Sequence, residues 1–232
     1  MRHLVLAALI ACAGTPLVAA DGVSGTWIAG SGPAMKVYIF KAQGAGFIGA
    51  VCGPCDDPSA VFRIADGTIA DGGHVAFSIV RDDAGSRERV TATLSTPASG
   101  PRQIVATAKA EALPGGRISP APVEGRWVVA GRVAQQNVTL KLRNGNKVWG
   151  VICGPCSNPD GVFLIEDGAL DGDDISFFIH HIDTPAVAVR QNGPGRNFMK
   201  GTIVSNVMKF KWVREGRESE PGGEMTLIGP IR

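Results

Sequence analysis

Four of the five cysteines in this 232-residue chain fall into two identical loops. Cys52-Gly53-Pro54-Cys55 recurs as Cys153-Gly154-Pro155-Cys156. Cysteines spaced in this way support three kinds of chemistry. Each pair can close a local disulfide, Cys52–Cys55 and Cys153–Cys156, with Gly and Pro supplying the tight turn. A ring this short removes little chain entropy, so each bond contributes about 1–2 kcal/mol. A pair can instead exchange disulfides with other thiols, provided one thiolate is stabilised. Finally, the two pairs together offer four thiolates with the ligand spacing of a zinc site. That site requires two loops about 100 residues apart to face each other. An oxidising compartment favours the disulfides, and they are the expected state.

Other candidates are sparser. On the strand Ile175 to Asp183, alternation places Phe177, Ile179, His181 and Asp183 on one face. His181 and Asp183 could bind a metal or act as an acid–base pair. Their counterparts in the first half are Arg81 and Asp83, which favours a polar pair at the strand's exposed end. Asp171-Gly172-Asp173-Asp174 could attract calcium but lacks the spacing of a calcium loop, so turn chemistry accounts for it. His74 sits in a Gly-rich turn. No Gly-x-Ser-x-Gly elbow, phosphate loop or His-Glu-x-x-His is present. No catalytic residue and no cofactor is assigned. Trp149 and Trp212 could stack on a ligand if exposed. Trp149 matches Ile48, which points to packing instead.

The elements that position these loops follow from internal similarity. Val23 to Trp27 matches Val123 to Trp127. Gly49 to Cys55 matches Gly150 to Cys156, and Ile64-Ala65-Asp66-Gly67 matches Ile165-Glu166-Asp167-Gly168. Phe77 matches Phe177, all at an offset of 100 or 101 residues. The chain therefore divides into residues 21–113, a Pro/Gly-rich linker at 114–122, and residues 123–232. Proteolysis is expected to release two resistant units. Local patterns are strand-like throughout. Lys36 to Phe40 and Asn137 to Leu142 are strands, with Val138, Leu140 and Leu142 on one face and Thr139 and Lys141 on the other. Asn144-Gly145, Asp66-Gly67 and Asp167-Gly168 read as hairpin turns. Met199 to Val204 and Val207 to Val213 read as a hairpin around Ser205-Asn206. The fold class is all-β, two tandem antiparallel barrels or sandwiches, with a barrel meander favoured. The first half lacks an obvious counterpart of the Val207 to Val213 strand, which bears on how it closes.

The N-terminus reads as an export signal spanning residues 1–20. A short basic start (Met1-Arg2-His3) precedes an apolar run from Leu4 to Ala13. Val18-Ala19-Ala20 then places small residues before a cut at Asp21. The run is too short for a membrane-spanning helix. Leu9-Ile10-Ala11-Cys12 offers a second reading, a lipoprotein anchored at Cys12. The expected location is periplasmic or secreted. The formal charge is +2 for the whole chain, and removing Arg2 leaves about +1. That balance gives no electrostatic case for nucleic acid or anionic lipid. A small molecule or a protein is the remaining class of ligand.

Gly25-Thr26-Trp27 and Gly125-Arg126-Trp127 resemble the Gly-x-Trp opening of lipocalin-like (calycin) barrels. The resemblance implies that Trp27 and Trp127 close the base of each barrel as structural residues. More broadly, the Gly-x-Trp start, the Cys-Gly-Pro-Cys loop and the Asp-Gly turn are similar to secreted bacterial β-domains of unknown function. Cys-Gly-Pro-Cys is also the thioredoxin active-site motif, where the first cysteine opens a helix that lowers its pKa. Here each pair follows an apolar strand, no βαβ pattern surrounds it, and no tryptophan precedes it. The expected function is a non-catalytic binding or interaction protein. The alternatives are a periplasmic thiol–disulfide oxidoreductase and a zinc-stabilised structural protein.

Overall fold

A computed structural model describes residues 22–81, 86–109, 123–131, 136–181, 195–214, 217–218 and 222–230. The export segment, Cys12 and the linker at 114–122 lie outside these residues. The chain forms two closed β-barrels, of seven and eight strands; the sandwich alternative is not what forms. The first barrel comprises β1 (Gly25–Ala29), β2 (Lys36–Gln43), β3 (Gly46–Cys52), β4 (Val61–Ile69), β5 (His74–Arg81), β6 (Ser86–Ser95) and β7 (Gln103–Lys109). The second comprises β8 (Gly125–Val129), β9 (Asn137–Arg143), β10 (Lys147–Cys153), β11 (Val162–Asp171), β12 (Asp174–His181), β13 (Gly195–Val204) and β14 (Val207–Arg214). The closing strand β16 (Gly223–Pro230) completes the ring of eight, and a two-residue strand β15 (Arg217–Glu218) pairs with β14 outside it.

Strand alternation sends large apolar side chains inward, and they fill both interiors. In the first barrel the Phe40 ring lies 4.6 Å from Phe47 and 5.5 Å from Phe77, and Tyr38 lies 6.0 Å from Phe77. These contacts are edge-on or tilted, as aromatic quadrupoles favour. In the second barrel Trp127, Leu140, Phe177, Met199 and Met208 are fully buried. Trp27 and Trp127 take the same place in each core. Each indole N–H donates to the carbonyl four residues back, at 2.8 Å to Val23 and 2.9 Å to Val123.

The two barrels close differently because their strand numbers differ in parity. A meander of seven strands brings its first and last strands side by side running in the same direction. β1 and β7 accordingly pair in parallel, through the single register Ile28↔Gln103. Arg102 seals this seam. Its guanidinium stacks on the Trp27 ring at 4.5 Å and donates to the Ser24 carbonyl. It also occupies the space a Cβ at Gly25 would need. In the second barrel β16 lies between β14 and β8, antiparallel to both. The strand without a counterpart in the first barrel is therefore β16. The place of Val207–Arg214 is taken by β7, which pairs with β6 as β14 pairs with β13.

Asp66-Gly67 and Asp167-Gly168 are not hairpin turns. They lie inside β4 and β11, where the pairing register shifts. Asp66 and Asp167 adopt φ of 55° and 48°, the left-handed region that Asp tolerates. A bulge of this kind bends the strand and increases its twist, which closure into a small barrel requires. The glycines are needed for close approach, since a Cβ at Gly67 would overlap the Phe47 ring.

Trp27→Ala and Trp127→Ala are each expected to destabilise the protein by about 3–5 kcal/mol, measured by urea unfolding. Wild-type stability in either variant would show that the indole does not anchor its barrel.

Candidate functional site at the twin cysteine loops

The outer faces of β2–β4 and β10–β11 are as apolar as the inner ones. Val37, Ile39, Ala50 and Val61 from the first barrel pack against Trp149, Val151, Val162 and Leu164 from the second. Both disulfide loops enter the same cluster through Cys52, Cys55 and Cys153. The halves thus share a third core. Trp149 is 7% exposed and belongs to this junction, so it offers no stacking surface.

Polar groups at the junction are matched across it. Lys41 on β2 pairs with Glu166 on β11. Lys141, at the position on β9 equivalent to Lys41, donates to the Val61 carbonyl at 2.7 Å. Its ammonium lies 5.4 Å from the Phe62 ring centre. Thr139 and Lys141 were assigned to the strand face opposite Val138 and Leu140. That face turns out to be buried against the other barrel.

Both cysteine pairs are disulfides, with Cα–Cα separations of 4.8 Å. Cys52 and Cys153 are the last residues of β3 and β10. Beyond each loop Asp57 and Asn158 cap a 3-10 turn. The Asp57 carboxylate accepts from the Ser59 N–H at 2.9 Å, and the Asn158 side-chain oxygen accepts from the Asp160 N–H at 3.2 Å. The loops meet, with Cys153 Sγ 3.7 Å from the Cys55 carbonyl oxygen. Between them lies a cleft of about 540 Å³ lined by residues of both barrels, including Pro33, Met35, Pro54, Arg126, Pro155 and Ser157. Arg126 binds across it to Asp56 at 3.6 Å. Burial weakens the hold of the nearby Arg102 guanidinium on its proton, an effect that the Asp160 carboxylate of the second loop opposes.

The two loops are not equivalent. Cys52, Cys55 and Cys153 are 0%, 3% and 1% exposed, whereas Cys156 is only partly buried and lines the cleft. Asn137 donates its side-chain amide to Cys156 Sγ at 3.4 Å and accepts from Arg126 Nε at 2.8 Å. The equivalent positions in the first barrel are Val37 and Thr26, as the strand registers show. This polar pair was not foreseen. The sequence signal for it was the replacement of two non-ionic residues by Arg and Asn at matched positions.

The loops do face each other, as a shared zinc site would need, but all four sulfurs are committed to disulfides. The thioredoxin arrangement is absent too. The first cysteine of each pair ends a strand and is buried, and no α-helix follows it. His181 is the last residue of β12, and Asp183 lies outside the described residues. On the opposite face of that strand His180 Nδ1 lies 3.8 Å from Glu166. Among the described residues no three His, Cys, Asp or Glu side chains gather at metal-binding distance. Asp173 and Asp174 serve the turn, the first accepting from Ile203 N–H and the second from the Thr202 hydroxyl.

A larger trough of about 940 Å³ lies on the second barrel, lined by Ile175, Lys200, Phe210 and Glu224 among others. It draws on one barrel only, and Lys209 and Glu224 at its wall pair at 3.8 Å. The cleft joins both barrels and both disulfides, and is the stronger candidate. Among the described residues no helix is long and apolar enough to cross a membrane. Comparison with family models, curated proteins and solved structures gives no match.

Lys41→Met is expected to cost about 2 kcal/mol in urea unfolding, because it removes the ammonium paired with the buried Glu166 carboxylate. The double change Lys41→Met with Glu166→Gln should cost less than the single one. Equal or greater loss in the double variant would show that the pair does not brace the junction.

Proposed function

We propose that this is an exported, non-catalytic binding protein that receives a segment of a partner in the cleft between its two cysteine loops. The observation that carries this reading is that residues of both barrels build the cleft, so it exists only in the joined molecule. Among the described residues, large apolar side chains pack both barrel interiors. The cleft wall combines the apolar surfaces of Pro33, Met35, Pro54 and Pro155 with the Arg126–Asp56 pair. A few placed polar groups in an apolar concavity are typical of recognition sites. Two further features support export. One is the N-terminal pattern ending at Val18-Ala19-Ala20, and the other is that both Cys pairs are oxidised.

A photo-crosslinking residue placed at Pro33 or Ser157 in cells that export the protein tests the reading. A discrete crosslinked partner is expected from both positions. No such product is expected from Val204, an exposed residue of the second barrel. Equal yields at all three positions, or none at the cleft, would overturn it. The same material should begin at Asp21 when its N-terminus is sequenced.

A further inference from the structure

We infer that the two disulfides have separate roles. Cys153–Cys156 exchanges with small thiols through Cys156, while Cys52–Cys55 is a permanent brace. The inference goes beyond the binding reading and does not depend on what the cleft holds.

Access decides where a thiolate can attack. Exchange requires in-line approach to a sulfur, and three of the four sulfurs belong to residues at most 3% exposed. Cys55 and Cys156 both line the cleft, but Cys156 alone of the four residues is partly exposed. The incoming thiolate forms a bond to Cys156 Sγ as the Cys153–Cys156 bond breaks. The electron pair leaves on Cys153 Sγ, which takes a proton from water. A second thiolate attacks the outer sulfur of the mixed disulfide, giving a free small-molecule disulfide and the Cys156 thiolate. Two small thiols are oxidised and one protein disulfide is reduced.

Both products find partners already in place. A Cys153 thiol has the Cys55 carbonyl oxygen 3.7 Å away as acceptor. A Cys156 thiolate has the Asn137 amide at 3.4 Å as donor. Arg126 Nε donates to the Asn137 side-chain oxygen at 2.8 Å. That contact fixes which end of the amide faces the sulfur and adds positive charge nearby. Hydrogen bonds to a thiolate and a neighbouring cation favour the charged form. In the first loop Val37 stands where Asn137 stands, and Thr26 where Arg126 stands, so neither aid exists there. The roles are also reversed relative to the thioredoxin motif, since the second cysteine carries the exchange.

The test equilibrates the full mature protein with graded reduced glutathione, quenches with an alkylating agent and maps the cysteines by mass spectrometry. The glutathione adduct is expected on Cys156, with Cys52–Cys55 intact wherever Cys153–Cys156 has opened. Asn137→Val should slow alkylation of the reduced Cys156 thiol by about fivefold, the effect of one hydrogen bond. Simultaneous opening of both bonds, an adduct on Cys153, or an unchanged rate in Asn137→Val would overturn the inference. The adduct map on the unmodified protein is decisive even if the variant folds poorly. Failure of the crosslinking experiment would leave this result untouched.

Discussion

The apolar outer surface of β2–β4 and β10–β11 is the constraint on which the rest depends. A barrel normally turns its outer face to water and alternates accordingly. Here Ile39, Ala50, Val61, Val151, Val162 and Leu164 point away from the interiors yet are 0–3% exposed. Each of the larger side chains among them would lose about 1.5–3 kcal/mol of favourable burial if left in solvent. The two barrels therefore have to meet on these faces. Once they do, the strand ends that carry Cys52 and Cys153 are brought together, and the two loops become one feature.

The proposed recognition site lies at that feature, while the interiors are packed. Aromatic rings fill the first barrel and Trp127, Phe177 and methionines the second. The junction is also where matched positions differ in chemistry. Ile48, Ala65, Val37 and Thr26 on one side correspond to Trp149, Glu166, Asn137 and Arg126 on the other. The differences pair across the contact or gather around Cys156. Both cysteines of the first loop are buried, whereas Cys156 of the second is partly exposed and hydrogen-bonded to Asn137.

Much of the fold was legible in the residues. The period-two pattern of Asn137 to Leu142 and the Ser205-Asn206 turn correspond to elements in place. The Gly-x-Trp segments likewise mark the first strand of each barrel. The disulfides followed from the spacing together with the expected oxidising compartment. Asp66-Gly67 and Asp167-Gly168 were misread because a positive-φ Asp before Gly suits a bulge as well as a hairpin. Only the continuation of apolar residues on both sides separates the two. The junction was missed for a related reason. Val148-Trp149-Gly150-Val151-Ile152-Cys153 is a continuous apolar run, the signature of a strand buried on both faces, but its partner is a strand far away in the chain. Nothing in the local pattern of Val37 or Asn137 says that the two meet across a cleft.

Native-state hydrogen exchange under mild denaturant tests the central claim most directly, that the shared apolar face makes one cooperative unit of the two barrels. Amides of β2–β4 and β9–β11 should converge on a single opening free energy, so that neither barrel unfolds while the other stays protected. Two separate isotherms, with β3 exchanging freely while β10 remains closed, would contradict the account.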